Sequence, residues 1–197
     1  MVLCPKDRET ELEQRTLDDG LVVLYSPACG GSWIGAEEYR SWQATQLEAA
    51  GVAEPPALDA SVLEPVLDPE FEPSLEDVQA SLCPVCQSYL SRSRIGFGQS
   101  FFLERCRSCG GFWVDRGEWE LLTRLGLTLN LDYLFTPEWQ DAARRREQFL
   151  TERRVLVEKV GEELAQEVFA LAQKLEGNPN GDFAVAYLMR RFDGGDS

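Results

Sequence analysis

Four cysteines in the middle of the chain have a spacing typical of a metal site. Cys83 and Cys86 form one Cys-x2-Cys pair, Cys106 and Cys109 form a second pair, and 19 residues separate the two. Each pair presents two thiolates on one side of a tight loop, and a hairpin between the pairs can bring all four sulfurs around one tetrahedral ion. The spacing predicts bound Zn2+, with iron in a rubredoxin-like site and disulfides as the alternatives.

The same four residues bear on catalysis. Four protein ligands leave no open coordination position, and such a closed zinc site is structural. Its binding energy acts as folding energy for a hairpin that is too small to be stable alone. The chain also contains no His, which excludes His-based triads, His general bases and every His-containing zinc site. We therefore expect one structural Zn2+ in a protein that is not an enzyme.

A weaker version of the pattern lies near the start of the chain. Cys4 and Cys29 are 25 residues apart, and the outer cysteines of the four in the middle of the chain, Cys83 and Cys109, are 26 residues apart. Asp7 and Ser26 occupy the other two ligand positions. Three interpretations are open: a weak second metal site of Cys4, Asp7 and Cys29 with a water ligand, a decayed turn that survives by packing, or a Cys4–Cys29 disulfide.

Both patterns belong to an internal repeat with an offset of about 80 residues. The motif Cys-Gly-Gly-x-Trp occurs at residues 29–33 and again at 109–113. Each copy predicts a β-hairpin followed by a helix. The predicted hairpin strands are Glu11–Leu17 with Leu21–Tyr25, and Tyr89–Ile95 with Ser100–Arg105. The predicted fold class is α+β, with two tandem zinc-ribbon-like modules and a helical C-terminal region.

The helix boundaries are predicted from capping residues. The first helix runs from about Ala36 to Ala50 and ends at Gly51. In the second copy, Asp115 and Glu118 form an Asp-x-x-Glu capping box. The helix that follows should end near Gly126.

The C-terminal region is predicted to be helical. Thr136 and Pro137 are a start signal. The apolar spacing then continues to Gly177, and we expect a bend or break near Gly161. A short helix at Phe183–Phe192 follows. The predicted domains are a degenerate ribbon at 1–51, an acidic Pro-rich linker at 52–80, a zinc ribbon at 81–126 and a helical region at 127–197.

The second copy resembles a small bacterial zinc-ribbon family named for the TFIIB-type zinc finger. The residues that carry the resemblance are Cys-Pro-Val-Cys at 83–86 and Cys-Arg-Ser-Cys-Gly-Gly-Phe-Trp-Val-Asp-Arg-Gly-Glu at 106–118. The resemblance spans 83–126 and implies that the four cysteines bind zinc. Residues 3–40 resemble the same family but depart from its pattern at Asp7, Ser26, Gly35 and Glu37.

Charge and hydropathy limit the choice of partner and compartment. The chain has 19 Lys and Arg against 34 Asp and Glu, a net charge of −15, which disfavours nucleic acid as a partner. No apolar run approaches the roughly 20 residues that a membrane helix needs. The first residues do not have the pattern of a signal peptide. We expect a cytoplasmic protein with no membrane contact.

Aromatic and basic side chains suggest how the modules pack. Trp33 and Trp113 occupy equivalent repeat positions and are predicted to pack each helix onto its own hairpin. A stacking platform for bases is the alternative interpretation. Arginines at 144–146, 153 and 154 are predicted to pair with neighbouring Glu side chains on a helix. A docking surface for RNA, or for the chain's own acidic linker, is the alternative interpretation of these arginines.

These observations predict a zinc-binding, non-enzymatic adaptor that docks on another macromolecule, most simply a protein. One alternative is a transcription- or RNA-associated factor that uses the ribbon and the arginine-rich helix. Another is a zinc-handling or thiol-redox protein that uses the half-empty first copy.

Overall fold

A computed structural model of the chain describes residues 1–59, 71, 81–97 and 99–193. The chain divides into two compact units, Met1–Glu147 and Gln148–Ser197. The described part of the first unit contains six strands: β1 Glu13–Thr16, β2 Val22–Tyr25, β3 Ser32–Ile34, β4 Leu90–Phe97, β5 Gln99–Cys106 and β6 Phe112–Val114. The residues that the structure describes also form five α-helices: α1 Ala36–Ala50, α2 Glu118–Arg124, α3 Pro137–Val160, α4 Glu162–Glu176 and α5 Gly181–Asp193.

The strands form one antiparallel sheet in the order β1-β2-β3-β6-β5-β4. An antiparallel sheet together with five helices confirms the α+β class. Both predicted hairpins are present, as β1 with β2 and β4 with β5. The first hairpin turns through Asp18-Asp19-Gly20, where Gly20 has a φ of 86° that favours glycine. The backbone N–H of Leu21 donates to the Asp19 carboxylate at 3.2 Å in this turn.

The two hairpin segments meet through a short strand pairing that the sequence did not predict. β3 pairs with β6 in the register Ser32↔Val114, Trp33↔Trp113 and Ile34↔Phe112. Because the repeat offset relates 32 to 112 and 34 to 114, this register is the same when it is read from either copy. The two repeats therefore contact each other about a local two-fold relation centred on the tryptophan pair.

Aromatic side chains from both copies build the main core. Trp42 of α1 meets Trp119 of α2 edge to face, with 5.4 Å between ring centroids. Tyr39 meets Phe112 in the same way at 5.3 Å. The Tyr39 hydroxyl donates to the Thr128 carbonyl at 2.8 Å and accepts from the Leu131 N–H at 3.1 Å. These rings lie between elements of the two copies.

Glycines end several helices where the sequence predicts it. α1 ends at Gly51, which has a left-handed φ of 70°. The predicted break at Gly161 separates α3 from α4, since this residue has φ 85° and ψ 158°. α3 begins after Thr136, whose hydroxyl accepts the Trp139 N–H at 3.3 Å. This contact is the predicted N-cap.

The predicted acidic linker lies mostly outside the described residues. Its described parts, residues 52–59 and 71, have no helix or strand. Phe71 is buried and its ring meets Phe101 of β5 at 5.8 Å between centroids. In the part of the chain that the structure describes, no helix combines the length and the apolar character needed to cross a membrane.

Candidate metal centre

The four cysteines of the second copy come together at one end of the β4–β5 hairpin. Cys83 and Cys86 lie in the turn before β4, Cys106 ends β5, and Cys109 lies in the turn that leads to β6. All four sulfurs lie within 4.8 Å of one another. Neighbouring sulfurs are separated by 3.5 Å between Cys83 and Cys109 and by 3.4 Å between Cys86 and Cys106. A tetrahedron with Zn–S bonds of about 2.3 Å has sulfur separations of about 3.8 Å, so the group fits a zinc ion.

Backbone N–H groups surround these sulfurs. The N–H groups of Val85 and Cys86 point at the Cys83 sulfur, each at 3.4 Å, and that of Cys109 points at the Cys106 sulfur at 3.5 Å. Gly110 makes this geometry possible in the second turn, because its φ of 78° lets the chain reverse at once. Donors of this kind stabilise the thiolate form, which is the form that binds a metal.

The environments of the four thiols are unequal. Burial raises the pKa of Cys83 and of Cys109 above the usual value of a thiol. Hydrogen bonding from the Ser88 side chain lowers the pKa of the exposed Cys86 to about 6. Some of these protons must leave before four thiolates can hold a cation, so metal binding releases protons and weakens in acid.

The two equivalent tryptophans cover this region, in a different way from the prediction. Trp33 and Trp113 are buried in a cluster with Cys4, Cys83 and Cys106. Each ring lies on the glycine of the other copy: an added Cβ at Gly111 would fall 2.3 Å from Trp33, and one at Gly31 would fall 2.4 Å from Trp113. The prediction that each ring packs a helix onto its own hairpin is therefore wrong, because the pairing of β3 with β6 turns each ring towards the opposite copy.

The predicted capping box of the second copy forms only in part. The Glu118 carboxylate accepts the Asp115 N–H at 2.8 Å. Asp115 itself does not cap α2, which begins after Gly117 without a side-chain cap. The Asp115 carboxylate instead accepts the indole N–H of Trp113 at 2.6 Å and pairs with Lys6 at 3.1 Å. A buried cation from the first copy thus takes the carboxylate away from the helix start.

The resulting buried ion cluster was missed by the sequence reasoning. The Lys6 ammonium lies 3.2 Å from Glu104 and 3.1 Å from Asp115, and all three side chains are at most 6% exposed. Burial alone would lower the pKa of Lys6, but the charges of Asp115 and Glu104 outweigh burial and raise it. The local signal in the sequence was Glu104, a charged residue directly after the apolar residues Phe101, Phe102 and Leu103 on β5.

The first copy brings together two of its three candidate ligands. The sulfurs of Cys4 and Cys29 are 3.6 Å apart. The Asp7 carboxylate accepts the N–H groups of Glu9 and Thr10, each at 3.0 Å, and the Thr10 hydroxyl at 2.6 Å. Among the described residues, the four cysteines of the second copy are the one group of three or more Cys, Asp or Glu ligands that could hold an ion.

Several arginines pair with a carboxylate or lie over an aromatic ring. Arg94 makes two hydrogen bonds of 2.8 Å to Glu147, and Arg105 pairs with Asp132 at 2.5 Å. On α3, Arg144 pairs with Asp141, which is one turn away. Arg153 lies over the Phe169 ring at 3.5 Å, and Arg154 pairs with Glu158 at 4.0 Å, as predicted for this helix.

Comparison with known families agrees with the site. Residues 82–124 match a family model of the TFIIB zinc-ribbon type, described as a transcription factor zinc-finger. This segment includes all four cysteines of the candidate metal centre. Comparison with curated proteins and with solved structures found no match.

Proposed function

We propose that this protein is a non-enzymatic adaptor whose second copy is held together by one structural Zn2+ and which docks on another protein. The observation that carries the proposal is the closed group of four thiols at Cys83, Cys86, Cys106 and Cys109. With all four as ligands, the ion has no position for a reactant. Zinc would supply the cross-link that joins the two turns of the hairpin.

The repeat supports a two-copy organisation. In this proposal, residues 1–51 are a degenerate ribbon and residues 81–126 an intact one. The symmetric register of β3 with β6 and the reciprocal packing of Trp33 and Trp113 support it. The first copy then acts as a built-in partner that covers the second.

The second compact unit supplies the surface for docking. α4 and α5 expose large apolar side chains, with Phe183 at 70%, Met189 at 60% and Phe192 at 81% exposure. Large apolar side chains exposed in this number on a highly charged chain favour a site for protein contact. Nucleic acid is less well supported, because Arg94 and Arg105 already pair with acids and the net charge is −15.

A pull-down from the native cells tests the docking proposal. The double variant Phe183→Glu with Phe192→Glu should lose a partner that the wild type captures. Thr45→Glu is the control, since it adds negative charge at an exposed position of α1. Equal capture by all three proteins would refute the apolar surface as the docking site. Capture that disappears on nuclease treatment would support the nucleic-acid alternative instead.

Metal analysis tests the site separately. We expect one zinc per chain, lost when Cys106 is replaced by Ser. Two zinc ions per chain would contradict the degenerate first copy. Any turnover that depends on Asp7 or Cys29 would refute the non-enzymatic role.

A further inference from the structure

The first copy retains one thiol on each of its two turns. Cys4 lies in the turn before β1, and Cys29 lies in the turn between β2 and β3. Their sulfurs are 3.6 Å apart, close to the 3.5 Å between the equivalent residues Cys83 and Cys109. The retained thiols are thus a facing pair across the two turns, at the place where the second copy has a metal cross-link.

We propose that Cys4 and Cys29 form a reversible disulfide, which makes the first copy a redox-controlled counterpart of the zinc-bound copy. A disulfide needs a sulfur separation of about 2.0 Å, so the sulfurs must approach by about 1.6 Å. Side-chain rotation within the two turns can supply this movement, because the sulfurs are already in van der Waals contact.

The neighbouring residues favour a disulfide over a metal site. Ser26 is buried at the position equivalent to Cys106, and a neutral hydroxyl is a poor zinc ligand beside thiolates. Asp7 occupies the position equivalent to Cys86, but three hydrogen bonds from Glu9 and Thr10 hold its carboxylate. A metal would have to break these hydrogen bonds, whereas a disulfide requires only the two sulfurs.

The chemistry needs an oxidant, and a hydroperoxide is the class we propose. Cys29 is half-buried and Cys4 is 1% exposed, so the peroxide reaches Cys29 first. The Cys29 thiol gives its proton to the facing Cys4 sulfur at 3.6 Å, and the Cys29 thiolate attacks one peroxide oxygen. The S–O bond forms, the O–O bond breaks, and the second oxygen of hydrogen peroxide leaves as water. The Cys4 sulfur then attacks the Cys29 sulfur, the S–S bond forms, and the oxygen leaves as a second water with the thiol protons. Two electrons pass from the sulfurs to the peroxide.

The cross-link would act on the contact between the copies. Lys6 follows Cys4 by two residues and inserts its ammonium between Glu104 and Asp115 of the second copy. The disulfide would hold this turn in place and restrict the unfolded chain between Cys4 and Cys29. Oxidation should therefore stabilise the first copy.

The test uses the full zinc-loaded chain and dilute hydrogen peroxide. Non-reducing peptide mass spectrometry should find a Cys4–Cys29 link that lacks two hydrogens, and a thiol reductant should reverse it. The melting temperature of the wild type should rise by roughly 5–10 °C on oxidation. Cys29→Ser should show no rise, whereas Ser41→Ala, an exposed change on α1 that keeps all six thiols, should behave like the wild type.

Two results would overturn the proposal. In the first, a denaturing quench still alkylates both Cys4 and Cys29 after peroxide has released the zinc from the second copy. In the second, they resist alkylation until a chelator removes a second metal ion, which would assign them to metal binding. Both readouts use the wild type, so they remain valid if Cys29→Ser folds poorly. The failure of docking in the pull-down would leave this proposal unaffected.

Discussion

The buried cation between the copies gives the sharpest test of this structure. Lys6→Met keeps most of the side-chain volume but leaves Glu104 and Asp115 as two buried carboxylates with one cation fewer. Both lie within 3.2 Å of the Lys6 ammonium, and none of the three side chains is more than 6% exposed. Removing one partner of a buried ion pair costs about 3–5 kcal/mol. Arg92, at 3.8 Å from Glu104, offsets part of this loss, so we expect about 3 kcal/mol.

Urea unfolding of the zinc-loaded protein measures the cost. With a slope of about 2 kcal/mol per molar urea, the midpoint should fall by about 1.5 M. Lys159→Met is the matched control, because it removes the same charge from an exposed position of α3, and it should change stability by less than about 0.5 kcal/mol. Adding Glu104→Gln to Lys6→Met should recover part of the loss, since it removes one uncompensated charge. Equal midpoints for the two lysine variants would refute the ion cluster as a link between the copies.

Three further changes have defined outcomes. Cys83→Ser, or chelation of the wild type, should abolish the cooperative unfolding of the second copy in circular dichroism, and a chain unchanged after complete metal removal would contradict the structural role of zinc. Tyr39→Phe should cost about 1–3 kcal/mol because two backbone groups lose a buried partner. Burial raises the pKa of Tyr39. The stability that its hydroxyl contributes is therefore complete at neutral pH and is lost as the pH rises above the pKa of an exposed tyrosine. Below that pH, the difference in the free energy of unfolding between the wild type and Tyr39→Phe should not change with pH. Gly111→Ala places a Cβ 2.3 Å from Trp33 and should cost about 1–3 kcal/mol in thermal unfolding, whereas Gly177→Ala meets its nearest atom at 3.6 Å and should cost less.

Local features of the fold followed from the sequence with good accuracy. The ends of α1 at Ala36 and Ala50 and the break at Gly161 agree with the structure. Turn glycines and helix caps act within a few residues, so the chain records them directly. The spacing of the four cysteines predicted that their sulfurs lie together for the same reason, because each pair needs only one tight turn.

The predictions from sequence were wrong where a side chain contacts residues that are distant in the sequence or in the other copy. Asp115 has the type and position of a helix cap, yet it binds Trp113 and Lys6. Trp33 and Trp113 were assigned to their own modules, yet each packs on the opposite copy. Both outcomes depend on the pairing of β3 with β6. A three-residue strand is too short for its sequence to specify which strand pairs with it.

The sequence alone determined the parts that depend on close spacing: the cysteine pairs, the repeat, the hairpins and the helix ends. Only the tertiary structure decided that the two repeats share one sheet, that Lys6 is buried between two carboxylates, and that Cys4 and Cys29 face each other at 3.6 Å. The physical reason is the separation along the chain between the residues that interact. Turns and caps are settled by neighbouring residues, whereas the burial of a charge or the meeting of two sulfurs depends on how distant segments pack together.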